Sequence, residues 1–352
     1  MARPFQEMIR AVCHCVACGI PVALFRRPGR DVCFLASEPA EDFAGPVFSV
    51  IPWGCRWAGR IRIGGVDNPR TVPELSACTG GCPPLCAPSD TDRQQYLHAV
   101  GSLIETLRHR GGKLVVSRVK SYPFGPDALG PAISSVFEAF PDAFCNFFFH
   151  PAVGCWLGAT PEVLLSCDSR GAFSTMALAG THRSGKDWDS KNIEEQKIVT
   201  DYIMSVLTPM SRDIIADGPL SLPFGSIEHL CTVISGTFSD SVSHGAAVDA
   251  LAPTPAVGGF PSADVDALIS AAEAHSRRCY AGTLTVENAG ENHSYVNLRC
   301  AEFTPGQVTF YAGGGITALS VPADEWEETE NKIGQIAPHV LNVLNRHVAE
   351  SE

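Results

Sequence analysis

No stretch of this 352-residue chain approaches the ~18 consecutive apolar residues of a membrane-spanning helix, and its opening, MARPFQEMIRAVCHC, lacks the long apolar core of a secretory signal. A cytoplasmic protein with no membrane partner is the expectation. Positive charge is also short: 26 Lys and Arg stand against 38 Asp and Glu, a formal net charge of −12. That balance argues against nucleic acid or an anionic membrane as the main partner, so an anionic ligand must be captured by local cations. Tight cysteine pairs are nearly absent. Of 14 cysteines only Cys15 and Cys18, within the cluster Cys13, His14, Cys15, Cys18, have the gap of a zinc knuckle; Cys78, Cys82 and Cys86 supply no second such pair. A structural zinc is disfavoured, and reduced thiols packed as small hydrophobes are expected. No repeat of fixed period is present, nor a regular βαβ rhythm.

What is present is a globular composition, 45% hydrophobic and 18% charged, enough for a large core. Short apolar runs before residue 77 (VALF, VCFLA, VFSVIPW) read as strands behind one leading helix, and TGGCPPLCAPSD at 79–90 reads as a loop. Tyr96, Val100, Leu103, Ile104 and Leu107 recur at helical spacing; Gly111 and Gly112 then stop the helix before the strand-like KLVVSRV. Strands are expected at 146–168, 172–179, 229–238 and 294–313, with helices over 192–208, from Ser262, and at the C-terminal end. Blocks of strands interrupted by single helices predict an α+β fold with large antiparallel sheets.

The segment DEWEET (324–329) crowds four carboxylates around an indole. A solvated acidic first turn would complement a helix dipole. On a helix, however, Glu325, Glu328 and Lys332 share a face, beside an apolar stripe of Trp326, Ile333, Ile336, Val340 and Leu344. Carboxylates next to a buried stripe require a cationic partner. In NIEEQKIVTDYIMSVL, Glu195 stands on the same face as Val199, Tyr202 and Val206, whereas Glu194 and Lys197 point away. Glu195 taken alone reads as a cap or a half-exposed residue. Together with Glu325 and Glu328 it makes an all-oxygen set suited to a hard cation such as magnesium.

Ten ordered motifs carry a resemblance over residues 94–345: KLVVSR, GATPEVLL, ALAGT, KNIEEQ, EHLCTVISG, PTPAVGGFP, EAHSRRCYAG, VNLRCAE, YAGGGI and EWEETENK. The chain resembles the chorismate-binding enzymes, and among them the isochorismate synthases. The resemblance implies two antiparallel sheets packed as a sandwich with helices outside, with residues 1–90 an N-terminal strand-rich part of the same fold and 91–352 the catalytic region. It implies chorismate as substrate and Mg2+ as cofactor, held by Glu195 and Glu328 with Glu325 helping directly or through water. Lys113 matches the family's base, which must act as a neutral amine under the influence of burial or a nearby cation. Glu162 matches the acid that protonates the departing hydroxyl, so its pKa must be raised.

Arg299 matches the residue that grips the enolpyruvyl carboxylate. Gly180 and Thr181, and the glycine run starting at Gly313, are expected to offer backbone amides to an anion. Lys332 either faces the same anionic region or is an ordinary surface ion pair. Tyr280, Arg277 and His229 also match family positions, as substrate contacts or as core residues. Within the family, Ala179 replaces the lysine that aminodeoxychorismate synthases use as nucleophile, and Ala256 replaces the threonine typical of pyruvate-releasing lyases; Leu178 would shape the pocket for attacking water. The resemblance therefore implies a single-chain, monomeric isochorismate synthase without an obligate glutaminase, feeding menaquinone or a catechol siderophore. The alternatives are a salicylate- or anthranilate-forming relative and a weakly active chorismate-binding protein. Two departures favour the last: Ala252 stands where histidine is usual, with loss of a polar group near the site, and Thr285 stands where glycine is usual and is expected to strain a turn.

Overall fold

In a computed structural model the described residues are 3–39, 43, 45–65, 88–183, 187–224, 227–261 and 263–349. The first half runs α1 (Arg3–Ala17), β1 (Val22–Arg26), β2 (Cys33–Ala36), β3 (Val47–Ile51), β4 (Ile61–Gly64), α2 (Arg93–Arg110), β5 (Lys113–Pro123), α3 (Leu129–Ala139), β6 (Phe144–His150), β7 (Gly154–Thr160), β8 (Val163–Asp168) and β9 (Ala172–Arg183). The second half runs α4 (Ser190–Leu207), β10 (Ser211–Phe224), β11 (Ile227–Phe238), α5 (His244–Leu251), β12 (Gly259–Phe260), α6 (Val265–Ala272), β13 (Thr283–Asn288), β14 (Glu291–Val296), β15 (Cys300–Thr304), β16 (Gln307–Ile316) and α7 (Pro322–Ala349).

The strands form two eight-stranded antiparallel sheets, ordered β12-β5-β16-β15-β7-β6-β1-β2 and β10-β11-β9-β8-β14-β13-β3-β4. The inner faces meet in one apolar core, where Phe25, Phe148, Trp156 and Val119 of the first sheet pack with Phe48, Leu165, Leu284 and Ile234 of the second. The outer face of the first sheet is covered too: Phe147, Leu157 and Phe310 pack under Val12 of α1, Ile133 and Phe137 of α3, and Ile336 and Val340 of α7. Burial on both faces explains why β6, FCNFFFH, is continuously apolar rather than alternating. The expected α+β sandwich with outside helices is the observed architecture. The amino-terminal strands join both sheets, β1 pairing with β6 and β3 with β13.

Several local readings change. β10 gave no period-two signal because it is an edge strand, exposed along most of its length and carrying Gly218, Pro219 and Pro223. α3 and α5 are each too short to carry a sustained 3.6-residue pattern in the sequence. α6 starts at Val265 behind a left-handed Asp264 cap, and Ser262 lies outside the described residues. Thr285 is fully buried in the middle of β13, where its hydroxyl meets Ser294 at 2.8 Å; no turn is strained there. Cys15 is a core residue of α1 rather than a zinc ligand. Cys18 is disulfide-bonded, contrary to the expectation of thiols throughout, and Cys78, Cys82 and Cys86 lie outside the described residues.

Candidate active site

Three elements, β5, α4 and α7, converge on one site. Gly111, in a positive-φ conformation, closes α2 so that β5 begins at Lys113, whose side chain is completely buried. α4 is capped by Asp189, which accepts from the Asn192 amide; the first turns of the helix then carry Lys191 and Glu195 inward. α7 contributes Glu325 and Glu328. Its Trp326 is held edge-on against Tyr96 and beneath the Arg118 guanidinium, while Glu330 pairs with Arg118 and Lys120. The indole among the carboxylates therefore anchors α7, and Glu327 is exposed.

The carboxylates of the two helices meet around lysines. Lys113 Nζ lies 2.7 Å from Glu195 Oε1, and Lys332 Nζ lies 2.6 Å from Glu328 Oε1. Lys191 Nζ stands 2.9 Å from Glu325 Oε1, 3.7 Å from Glu195 Oε2 and 3.8 Å from Glu328 Oε2. Among the described residues, no three His, Cys, Asp or Glu side chains are already arranged as a metal cluster. The donors are nonetheless of the oxygen-only kind that a hard divalent ion takes, and Glu325 Oε2 is buried without a hydrogen-bond partner.

The triple glycine makes this convergence possible. Gly313, Gly314 and Gly315 lie within β16 and pair with Ser117, Val116 and Val115 of β5, so the run is a strand rather than an amide cradle. A Cβ on Gly315 would stand 2.1 Å from Glu195 Oε1 and 2.8 Å from Lys113 Cε. We predict that Gly315→Ala separates this ion pair and lowers kcat by about 10²-fold through misplacement, with the fold preserved. Unaltered circular dichroism beside the lost rate is the expected result, and a wild-type rate would show that the contact is dispensable.

Glu195 forms part of a cavity, partly open to solvent, together with Glu162, Leu178, Gly180, Thr181, Ala256, Tyr280, Arg299, Gly313 and Lys332. Lys113 itself does not reach the wall; its Glu195 partner does. Glu325 and Glu328 line a second, outer cavity with Lys191 and Asp324, so the lysine–carboxylate cluster separates the two spaces.

Burial pushes the Glu162 carboxyl up to about 7, against the pull of Lys113, Lys332 and Arg299. Burial likewise raises Glu325 to about 7, opposed by Lys191. Burial would raise Glu195 and Glu328 as well, but Lys113 with Lys191, and Lys332 with Lys191, overcome it and hold both below the ordinary value. Arg299 is buried in a left-handed conformation (φ 47°), and burial lowers its pKa to about 10. It donates from Nη2 to His229 Nε2 at 3.1 Å, while its Nε has no partner and remains a spare donor. Burial and Arg299 hold His229 well below its usual pKa, so the ring is neutral. Its Nδ1 carries the proton, within reach of Gly180 O at 3.2 Å and Thr181 Oγ1 at 3.0 Å. His229 thus orients Arg299, which the sequence left undecided.

Some expected roles shift. The Thr181 amide donates to Asn192 Oδ1 and is not available to an anion. Gly180 is the bulge residue of β9, with φ +75° and Asn192 packed 3.2 Å from where its Cβ would be. Arg277 is structural: it donates to Val115 O and Val257 O, pairs with Glu273 and lies over Trp53. Of the two anticipated influences on Lys113, burial or a nearby cation, the structure shows complete burial, and the charge beside the lysine is a carboxylate. Ala252 lines a separate cavity with Trp53 and Asp249, away from the Glu162 site. Lys191, inside the KNIEEQ motif, had no assigned role, although its i,i+4 spacing from Glu195 was visible.

A family model described as chorismate binding enzyme matches residues 83–341. The chain belongs to the chorismate-binding enzyme family. This chorismate-binding enzyme is 31% identical over 256 residues to the salicylate biosynthesis isochorismate synthase of Pseudomonas aeruginosa, a match that covers 68% of the chain and 53% of that relative. It is 30% identical over 208 residues to the isochorismate synthase EntC of Escherichia coli K12, covering 55% and 52%. The chain thus spans about half the length of the curated relatives it matches. The fold of a Bacillus anthracis protein described as the 2,3-dihydroxybenzoate-specific isochorismate synthase DhbC superposes with a TM-score of 0.74 at 20% identity, over 96% of this chain and 99% of that one. Among the described residues no helix is long and apolar enough to cross a membrane.

Proposed function

We propose that this chain is a magnesium-dependent isochorismate synthase, interconverting chorismate and isochorismate. The observation that carries this reading is Glu162, a buried carboxyl with a pKa of about 7 in the same cavity as Arg299, Lys332 and Glu195. It retains its proton near neutrality and serves as the general acid. Ala179 and Ala256 add support, since neither can act as the nucleophile or the threonine of the other branches.

Magnesium, when held by Glu195, Glu328 and Glu325, would supply a positive anchor for the ring carboxylate of the substrate. Arg299, steadied by His229, offers its free Nε to the second carboxylate. Glu195 would offer Oε2 to a divalent ion while Oε1 stays with Lys113, and Lys113, in its neutral form, would take the proton of the attacking water. The water oxygen bonds to ring carbon 2, the double bonds shift, and the hydroxyl at carbon 4 leaves with the proton of Glu162. No ammonia is consumed, so no glutaminase is needed, and the chain works alone. Because the exchange is reversible, conversion beyond the equilibrium mixture requires a following reaction that consumes isochorismate.

Incubation of the purified protein with chorismate and magnesium, followed by chromatography, is expected to give isochorismate in equilibrium with chorismate and no pyruvate. Release of pyruvate with an aromatic product would replace this reading by a lyase, and retention of intact chorismate without product would replace it by a binding protein.

A further inference from the structure

The ammonium of Lys191 occupies the point on which the carboxylates of α4 and α7 converge. Glu195 and Glu328 each commit one oxygen to a lysine on the substrate side: Oε1 of Glu195 to Lys113, and Oε1 of Glu328 to Lys332. The second oxygen of each turns to Lys191, at 3.7 and 3.8 Å, and Glu325 Oε1 joins them at 2.9 Å. Three lysines therefore balance three glutamates. The side chain of Lys191 is only 16% exposed, yet its outer edge lies on the outer cavity, which is also lined by Asp187, Asp189, Asp324 and Glu327. An ammonium and a divalent ion cannot share the same three carboxylate oxygens, because each would have to give up its closest contacts to the other.

We infer that Lys191 is a resident counter-cation: it holds the three glutamates together before metal arrives and swings into the acidic outer cavity when magnesium binds. Expulsion of the lysine is a cost that magnesium binding must overcome, so Lys191 sets the metal affinity without itself touching the substrate. It is a positioning residue. The acidic residues of the outer cavity receive the displaced ammonium, and they attract the incoming ion from solvent. This inference rests on the magnesium site proposed above.

Isothermal titration of Mg2+ into the full chain, in the absence of substrate, tests it. Lys191→Met keeps the length of the side chain and removes the charge. We expect this variant to bind Mg2+ about tenfold more tightly than wild type, equivalent to about 1.4 kcal/mol, and to melt at lower temperature in EDTA. Lys191→Arg should restore the melting temperature in EDTA and bind Mg2+ no more tightly than wild type. An unchanged or weaker affinity in Lys191→Met overturns the inference while leaving the magnesium site standing.

If the methionine variant does not fold, amine acylation of wild type followed by mass spectrometry decides. Acylation of Lys191 should rise severalfold on adding Mg2+, with Lys197 as the exposed internal reference, and equal labelling with and without Mg2+ overturns the inference. Wild-type protein that shows no Mg2+ binding sensitive to Glu328→Gln would instead remove the magnesium site, and this inference with it.

Discussion

Replacing Glu162 by glutamine is expected to lower kcat by about 10²- to 10⁴-fold, the contribution of a positioned general acid, while making the folded protein less sensitive to alkali. Both effects have one origin. The folded carboxyl has a pKa of about 7 against an ordinary value of 4.5, so the folded state keeps a proton that the unfolded chain has lost. The stability associated with that proton is fully present below pH 4.5 and is lost as pH rises through about 7. At about 1.4 kcal/mol per pH unit, the gap corresponds to roughly 3 kcal/mol. Glutamine has no proton to lose. The stability of Glu162→Gln relative to wild type should therefore grow by that amount between pH 4.5 and pH 8, as read from urea unfolding at each pH. In wild type, kcat/KM should fall on the alkaline side of about pH 7 as the free enzyme loses its acid. A glutamine variant with wild-type rates, or a flat stability difference across this range, would remove Glu162 from the mechanism.

Lys113→Met is expected to be equally damaging to the rate and opposite in its effect on stability. The ammonium lies 2.7 Å from Glu195 with no exposure to solvent. Its removal leaves Glu195 with Lys191 alone, at 3.7 Å. Breaking a buried pair in this way typically costs about 3–5 kcal/mol, because an uncompensated charge stays behind. The double variant Lys113→Met/Glu195→Gln should recover most of the lost stability and none of the turnover, measured by thermal melting and by product formation. Recovery of activity in the double variant would show that Lys113 serves only to neutralise Glu195.

These expectations rest on features of unequal visibility in the sequence. The face shared by Glu325, Glu328 and Lys332 could be read from spacing alone, since helical geometry fixes it; so could the helix ended by Gly111 and the strand that opens with Lys113. The partner that brings Glu195 to Glu328 could not be read, because it depends on how β16 lies between two helices more than a hundred residues apart in the chain. The packing role of the glycines at 313–315 is hidden from the sequence for the same reason. A glycine run has no periodicity, and only the β5 pairing shows that its role is to admit Glu195 and Glu325 rather than to present amides to a ligand. The engagement of the Thr181 amide is equally invisible in the sequence, because its acceptor, Asn192, is brought to it across the bulge at Gly180. β10 stayed hidden because an exposed edge strand is under no pressure to alternate.

The most direct test of the account is the origin of the new hydroxyl. With chorismate and magnesium in ¹⁸O-labelled water, the isochorismate formed should carry one labelled oxygen at ring carbon 2, and no pyruvate should appear. Isochorismate without the label would contradict attack by water, and labelled pyruvate-free aromatic products or pyruvate itself would contradict the assignment of the reaction.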